Sequence, residues 1–209
     1  MIGKHREHVA ETIEHIAARW AEPDLRLLRQ VFPLLAVGQP VAVDRIAQVT
    51  GSDPHEVERA LLLGRTGRDE EGRVTELFGV MLAPTVHRVE VDEAALFCCC
   101  ALTAHLVPIL TRETAKVESV DPVSRRLVRL TISPSGVRSV EPETAVGTLI
   151  RTDREGVLGD VGANFCGHVQ HFASSESAAE FVARVPGRYV LAMDEYHESA
   201  RGLYSAIWS

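Results

Sequence analysis

Residues 40–65, PVAVDRIAQVTGSDPHEVERALLLGR, decide how the first part of this chain folds. The apolar spacing predicts a helix near 43–49, a break at Gly51-Ser52-Asp53, and a second helix begun by Asp53 as N-cap with Pro54 in its first position. Proline is tolerated there because its missing N–H would have had no partner. The following residues, 66–91, alternate apolar and polar side chains around an Asp69–Gly72 turn, which reads as a β-hairpin. Two short helices, a tight turn and a hairpin are the order of a winged helix. Working upstream, Val9, Ile13, Ile16, Ala17 and Trp20 recur at spacings of three and four, predicting an amphipathic helix over 5–20. Pro23 and Asp24 then open a helix through LRLLRQVFPLLAVG, closed by Gly38.

Downstream the pattern changes. Asp92 is positioned to cap a helix through EAALFCCCALTAHLV, ended by Pro108. Segments 114–120, 126–133 and 136–142 alternate and are bounded by Pro and Gly, predicting strands of a mostly antiparallel sheet. Residues 161–174, VGANFCGHVQHFAS, read as strand-like. A helix over 175–185 with Ser175 near its cap, a short strand at 188–194 and an amphipathic helix at 195–208 complete the chain. The expected class is α+β: a winged-helix-like region within 1–91, then a helix-flanked antiparallel sheet within 92–209.

Composition narrows the function. The chain has 209 residues, 45% hydrophobic and 24% charged, as an ordinary globular protein does. Its 22 basic and 29 acidic residues give a net charge of −7, which repels phosphate backbones and anionic membranes. The second helix of the winged-helix pattern offers Arg59 and Arg65 but also Glu56 and Glu58, and the wing adds Asp69, Glu70 and Glu71. That balance disfavours base readout, so scaffold is the expected role and no nucleic-acid partner is expected. No apolar run approaches the ~20 residues that span a bilayer, and the first residues carry charges where a signal peptide has its apolar segment. A cytoplasmic protein without a membrane partner is the expectation.

In a reducing compartment the four cysteines, Cys98, Cys99, Cys100 and Cys166, are better read as buried apolar side chains, metal ligands or a reactive centre than as disulfides. On a helix, Cys99 and Cys100 each share a face with Thr103. If 164–171 is extended, Cys166, His168 and Gln170 share one face and His171 the other. Converging thiolates suit a soft cation of low coordination such as Hg(II) or Cu(I). Tetrahedral zinc is disfavoured, because the Cys-x-x-Cys spacing is absent and His168 and His171 diverge on a strand. Cys98 and Cys99 are also readable as small fillers of a buried helix.

Three blocks carry a resemblance: LFCCCALTAHLVPILTRETAKVES at 96–119, LTISPSGVRSVEP at 130–142 and NFCGHVQHFAS at 164–174. In order and spacing they resemble the organomercurial (alkylmercury) lyases, and the similarity covers roughly residues 25–205. The resemblance implies protonolysis of the carbon–mercury bond of R–Hg⁺ by two cysteines and an aspartate, without a cofactor, releasing R–H and Hg(II). It places the first cysteine at Cys100 and the second at Cys166. The family pattern Cys-Ala-Leu-Asp reads here Cys100-Ala101-Leu102-Thr103, so a hydroxyl stands where the carboxyl is expected. Thr103 would then relay or orient a proton that comes from the thiol of Cys100 or Cys166. Cys99 stands where a large aromatic is frequent and is a candidate extra ligand; Gly167 stands where some members carry a further cysteine. Cellular thiols are the implied acceptors of the product mercury. Two other readings use the same residues: a non-catalytic Hg(II) or Cu(I) binding protein, and a lyase-like enzyme acting on a molecule without mercury.

Overall fold

The computed structural model describes residues 2–20 and 24–208; Pro23, expected to help open the second helix, lies outside them. Helix α1 (Ile2–Ala17) ends in a 3-10 turn at Ala18–Trp20. It turns Ile13 and Ile16 inward against the last helix of the chain. Helix α2 (Leu25–Leu35) starts at Asp24, whose carboxylate accepts from the backbone N–H groups of Arg26 and Leu27 at 3.0 and 3.1 Å. Those are two of the donors that a helix start leaves without partners. Leu27, Leu28, Val31, Phe32 and Leu35 form its buried stripe.

Helices α3 (Val43–Thr50) and α4 (Pro54–Leu63) follow the sequence expectation closely. Gly51 takes a left-handed φ of 68° that closes α3, and Asp53 accepts from the His55 N–H at 2.8 Å. Strands β1 (Gly67–Arg68) and β2 (Val74–Leu77) pair across the Asp69 turn. The Asp69 carboxylate organises that turn by accepting from the N–H groups of Glu71 and Arg73.

The hairpin does not stand alone. Strands β3 (Val80–Met81), β4 (His87–Val91), β5 (Ala94–Cys98), β6 (Ala115–Val120), β7 (Leu127–Ser133) and β8 (Gly136–Glu141) extend it into one eight-stranded sheet of order β1-β2-β3-β5-β4-β6-β7-β8. Every pairing is antiparallel. One face buries Val89 and Val91, Val117, and Val128, Leu130 and Ile132, as alternation at a period of two requires.

The helix expected over 93–107 is corrected. Residues 94–98 are strand β5, and helix α5 (Ala101–Thr111) begins only after Cys100. Asp92 caps nothing: Asp92 and Glu93 have φ of 46° and 66° and form the tight turn joining β4 to β5. Two consecutive positive φ values suit a hairpin whose twist matches its strands, but Asp-Glu is not the usual sequence for it. The unbroken apolar run from Ala94 to Ala101 has no period that separates buried strand from buried helix. Nor does Pro108 end the helix; it lies inside α5. An interior proline costs ~3 kcal/mol, and α5 offsets it by burying every residue from Ala101 to Pro108.

Residues 161–174 are corrected as well. Strand β9 (Val146–Ile150) leads into two short helices, α6 (Arg154–Gly159) and α7 (Val161–Asn164), capped by Asp153 and Asp160. A 3-10 turn holds Cys166–His168, and only His171–Phe172 is strand, β10. Helix α8 (Ser175–Val182) takes Ser174 rather than Ser175 as its N-cap, and β11 (Arg188–Ala192) leads into α9 (Met193–Trp208). The order β10-β9-β11 makes a second, three-stranded antiparallel sheet. Apolar side chains gather in two cores. One lies between α2–α4 and the large sheet, the other among α1, α9 and the small sheet, and α5 feeds both: Ala104 and Val107 the first, Leu102 and Leu106 the second.

Candidate active site

Where β5 gives way to α5, backbone geometry sends three successive cysteines in different directions. Cys98 ends the strand fully buried in the first core. Cys99 donates its N–H to the Gly79 carbonyl at 2.8 Å, and its partly buried side chain lies against Gly79. Cys100, at φ −155°, is the N-cap of α5. The next N–H, of Ala101, bonds the Val169 carbonyl at 3.1 Å and fastens the helix start to the loop that carries Cys166.

Three sulfurs meet there. Those of Cys99, Cys100 and Cys166 all lie within 4.8 Å of one another, with Cys99 and Cys166 at 3.6 Å. The Thr103 hydroxyl is 3.4 Å from the sulfur of Cys99 and 3.4 Å from that of Cys100. The structure thus brings Cys100, Cys166, Cys99 and Thr103 together and leaves Cys98 outside. His168 does not join them: its Nδ1 accepts from Arg188 Nε at 3.0 Å. Nor does Gln170 join the sulfurs; its amide donates to the Cys166 carbonyl at 3.4 Å.

The thiols are shifted in opposite directions. Hydrogen bonds from Cys166 and then Cys99, with help from Thr103, hold Cys100 well below the usual thiol range. The same bonding to Cys100 pushes Cys166 and Cys99 up. The downward direction at Cys100 fits its place at the N-terminus of α5, where peptide dipoles favour negative charge.

The cluster opens on a cavity of about 400 Å³. Its lining includes apolar Ile16, Leu102, Leu106, Phe165 and Leu203, an aromatic wall of Trp20 and Phe78, and the polar Arg19, Arg65 and Glu76. Phe78 takes a φ of 56° and stands edge-on to Trp20 at 4.8 Å and to Trp208 at 5.0 Å. Gly79, at φ 76°, makes room for the sulfurs: a Cβ there would lie 2.6 Å from Cys99 Sγ and 3.2 Å from Thr103 Oγ1. Of these wall residues, Ile16, Trp20 and Arg65 were read from the sequence as parts of helices, and none of Phe78, Gly79 and Glu76 was singled out as part of a site. Gly79 left a trace, an isolated glycine between two apolar segments, the signature of close approach.

Beneath Cys166 runs a buried chain of hydrogen bonds. Gln170 Oε1 meets His87 Nε2 at 3.1 Å, His87 Nδ1 meets Ser119 Oγ at 2.8 Å, Ser119 Oγ meets His171 Nδ1 at 2.8 Å, and His171 Nε2 meets His105 Nε2 at 3.1 Å. Because Gln170 Oε1 only accepts, every proton in the chain is directed toward it. Burial keeps these imidazoles neutral, lowering His87, His171 and His105, the last to about 3. The chain ends at the Cys166 carbonyl through the Gln170 amide, so it anchors the loop.

Comparison with known proteins places the chain in a family. The family model described as alkylmercury lyase matches residues 81–205, and one described as the helix-turn-helix domain of alkylmercury lyase matches residues 14–77. An alkylmercury lyase of Staphylococcus epidermidis is 36% identical over 178 residues, covering 85% of this chain and 81% of that protein. One of Streptomyces lividans is 35% identical over 182 residues, covering 87% and 83%. The solved structure titled as the mercury-bound form of MerB2 superposes with a TM-score of 0.76 over 94% of this chain and 98% of that one. At 14% identity it bears on the fold alone. With its helix-turn-helix region, antiparallel sheet and gathered cysteines, the chain belongs to the alkylmercury lyase family.

Proposed function

We propose that the chain cleaves the carbon–mercury bond of organomercurials by protonolysis, releasing a hydrocarbon and Hg(II). The observation that carries this reading is the thiol trio gathered at the wall of a mostly apolar cavity. The Cys100 thiolate takes R–Hg⁺, and Cys166 adds as the second sulfur. Two soft donors push electron density through mercury onto carbon, which becomes basic enough to take a proton. Thr103 orients the thiols through its hydroxyl, and Cys99 backs the pair as a third sulfur. Cellular thiols then draw Hg(II) from the site. The reaction needs no cofactor.

The activity belongs to the cytoplasm, where such thiols are abundant. No helix among the described residues is long and apolar enough to cross a membrane. Helices α2–α4 and their wing serve as scaffold, with neither nucleic acid nor membrane as partner. Arg68 of the wing is paired with Glu58 of α4 at 2.7 Å, which removes charge from the would-be reading surface.

The test is hydrocarbon release from a simple organomercurial with thiol in excess. Release that disappears in Cys100→Ser and Cys166→Ser supports the reading. Tight uptake of Hg(II) or Cu(I) by the wild-type protein without release would replace it with a soft-metal binding protein.

A further inference from the structure

The trio supplies sulfur but no carboxylic acid, and neither does Thr103. Among the described residues lining the cavity, one side chain carries a carboxyl: Glu76 of β2. Its placement is built into the hairpin register. Glu76 pairs with Gly67 on one side and Met81 on the other. A Cβ at position 67 would lie 2.6 Å from the Glu76 Cβ and 3.0 Å from its Oε2, so only glycine opposite leaves the carboxyl where it is. Two residues further along, Phe78 and Gly79 form the wall against Cys99 and Thr103. The strand that seats the sulfurs therefore also carries the acid.

We propose that Glu76 is the proton donor to carbon in this chain, in place of a carboxyl at position 103; the inference rests on the lyase reading above. With mercury held by the sulfurs, its organic group would extend into the cavity that Glu76 also lines. The balance is simple. R–Hg⁺ binds the Cys100 thiolate; the Cys166 thiol gives its proton, by way of water in the cavity that both residues line, to the Glu76 carboxylate and bonds mercury as thiolate. The carbon–mercury bond then breaks with its electron pair on carbon, Glu76 gives the proton to carbon, and R–H leaves. Mercury stays as the neutral dithiolate and Glu76 returns to carboxylate.

The surroundings fit a group that must hold a proton for part of the cycle. Burial raises the Glu76 carboxyl above its ordinary range, opposed by Arg19. Among the described residues no hydrogen bond or ion pair engages its oxygens, which leaves them free for transfer. Arg19, lowered first by burial and then by neighbouring Arg65, also lies within electrostatic reach of Cys166, Cys99 and Glu76.

Single-turnover hydrocarbon formation from an organomercurial, alongside stoichiometric Hg(II) uptake, tests the assignment in wild type, Glu76→Gln, Glu76→Asp and the double variant Glu76→Gln/Thr103→Asp. Glu76→Gln keeps the shape and should slow release by ~10²-fold or more while Hg(II) uptake stays unchanged. Glu76→Asp should keep more of the rate, and a carboxyl at position 103 should restore the Gln variant, a rescue that loss of packing would not give. Release by Glu76→Gln within about twofold of wild type, the spread expected of unrelated sites, overturns the inference and leaves the lyase reading standing. No hydrocarbon from wild type despite bound mercury overturns both.

Discussion

The sulfur of Cys99 lies 3.6 Å from that of Cys166, although 66 residues separate them in the chain. Cys99 is thus part of the cluster rather than a filler of the core, the role that Cys98 takes. Cys100→Ser and Cys166→Ser should each abolish cleavage, since a hydroxyl is a poor ligand for a soft metal. Cys99→Ala should leave the first turnover largely intact but let a competing dithiol strip Hg(II) from the site more easily. Competition for bound mercury, followed beside single-turnover release, separates the three; equal loss in all of them would make Cys99 an obligatory ligand.

Thr103 touches two sulfurs with one hydroxyl. Thr103→Val, similar in shape, should cost about 1 kcal/mol of the activation barrier, the worth of one hydrogen bond, or roughly fivefold in rate. Thr103→Asp should raise protonolysis in the wild-type background by placing a second carboxyl beside the sulfurs. Rates of hydrocarbon release in a single turnover decide it, and a Val variant as slow as Cys100→Ser would show that Thr103 does more than orient.

Gly79→Ala should disturb site and fold together. Its left-handed φ costs an alanine roughly 1–2 kcal/mol, and the new Cβ would meet Cys99 Sγ at 2.6 Å. Thermal unfolding should report the first effect and weakened Hg(II) uptake the second. An unchanged mercury titration would mean that the β2–β3 turn can retreat from the sulfurs.

The buried imidazoles make stability fall in mild acid. His105 titrates at about 3 in the folded chain against an ordinary 6.5, and His87 and His171 are lowered too. The unfolded chain therefore binds more protons below pH 6.5. The contribution of His105 is complete above that value and is lost as pH falls from 6.5 toward 3, at about 1.4 kcal/mol per pH unit, and His87 and His171 act in the same direction. Urea unfolding at about pH 7.5 and about pH 5.5 measures it. His105→Gln should flatten the slope; a flat wild-type profile would contradict the neutral chain.

The winged-helix region should not hold DNA. Glu58 already occupies Arg68, and Arg65 reaches the Leu158 carbonyl at 3.4 Å. A gel shift with random duplex at low salt, where phosphate attraction is greatest, should show no complex. Tight binding that weakens with salt would give α4 a reading role.

Local chemistry made much of the fold legible. Asp53-Pro54 at the start of α4, Gly51 at the end of α3 and the Asp69 turn are short-range signals whose hydrogen bonds close within a few residues. The strands Ala115–Val120 and Leu127–Ser133 alternate because one face is buried and the other is not. Cys100, Thr103 and Cys166 were legible as a set through the three blocks resembling the family. The stretch 94–100 was not, because a buried strand running into a buried helix start has no polar face to mark a period. Residues 161–170 misled for a different reason: their course is set by Asp caps and by the bond from Ala101 N–H to Val169, which joins distant parts of the chain.

By itself, then, the amino-acid order determined the capped helices, the turns, the alternating strands and the identities of the thiols, since each depends on neighbours along the chain. Tertiary structure alone decided that Cys99 joins Cys100 and Cys166, that Gly79 makes room for them, and that Glu76 shares their cavity. Those relationships come from the packing of β2, the β5–α5 junction and the loop after α7. Long-range packing leaves no periodic trace in the residues it brings together.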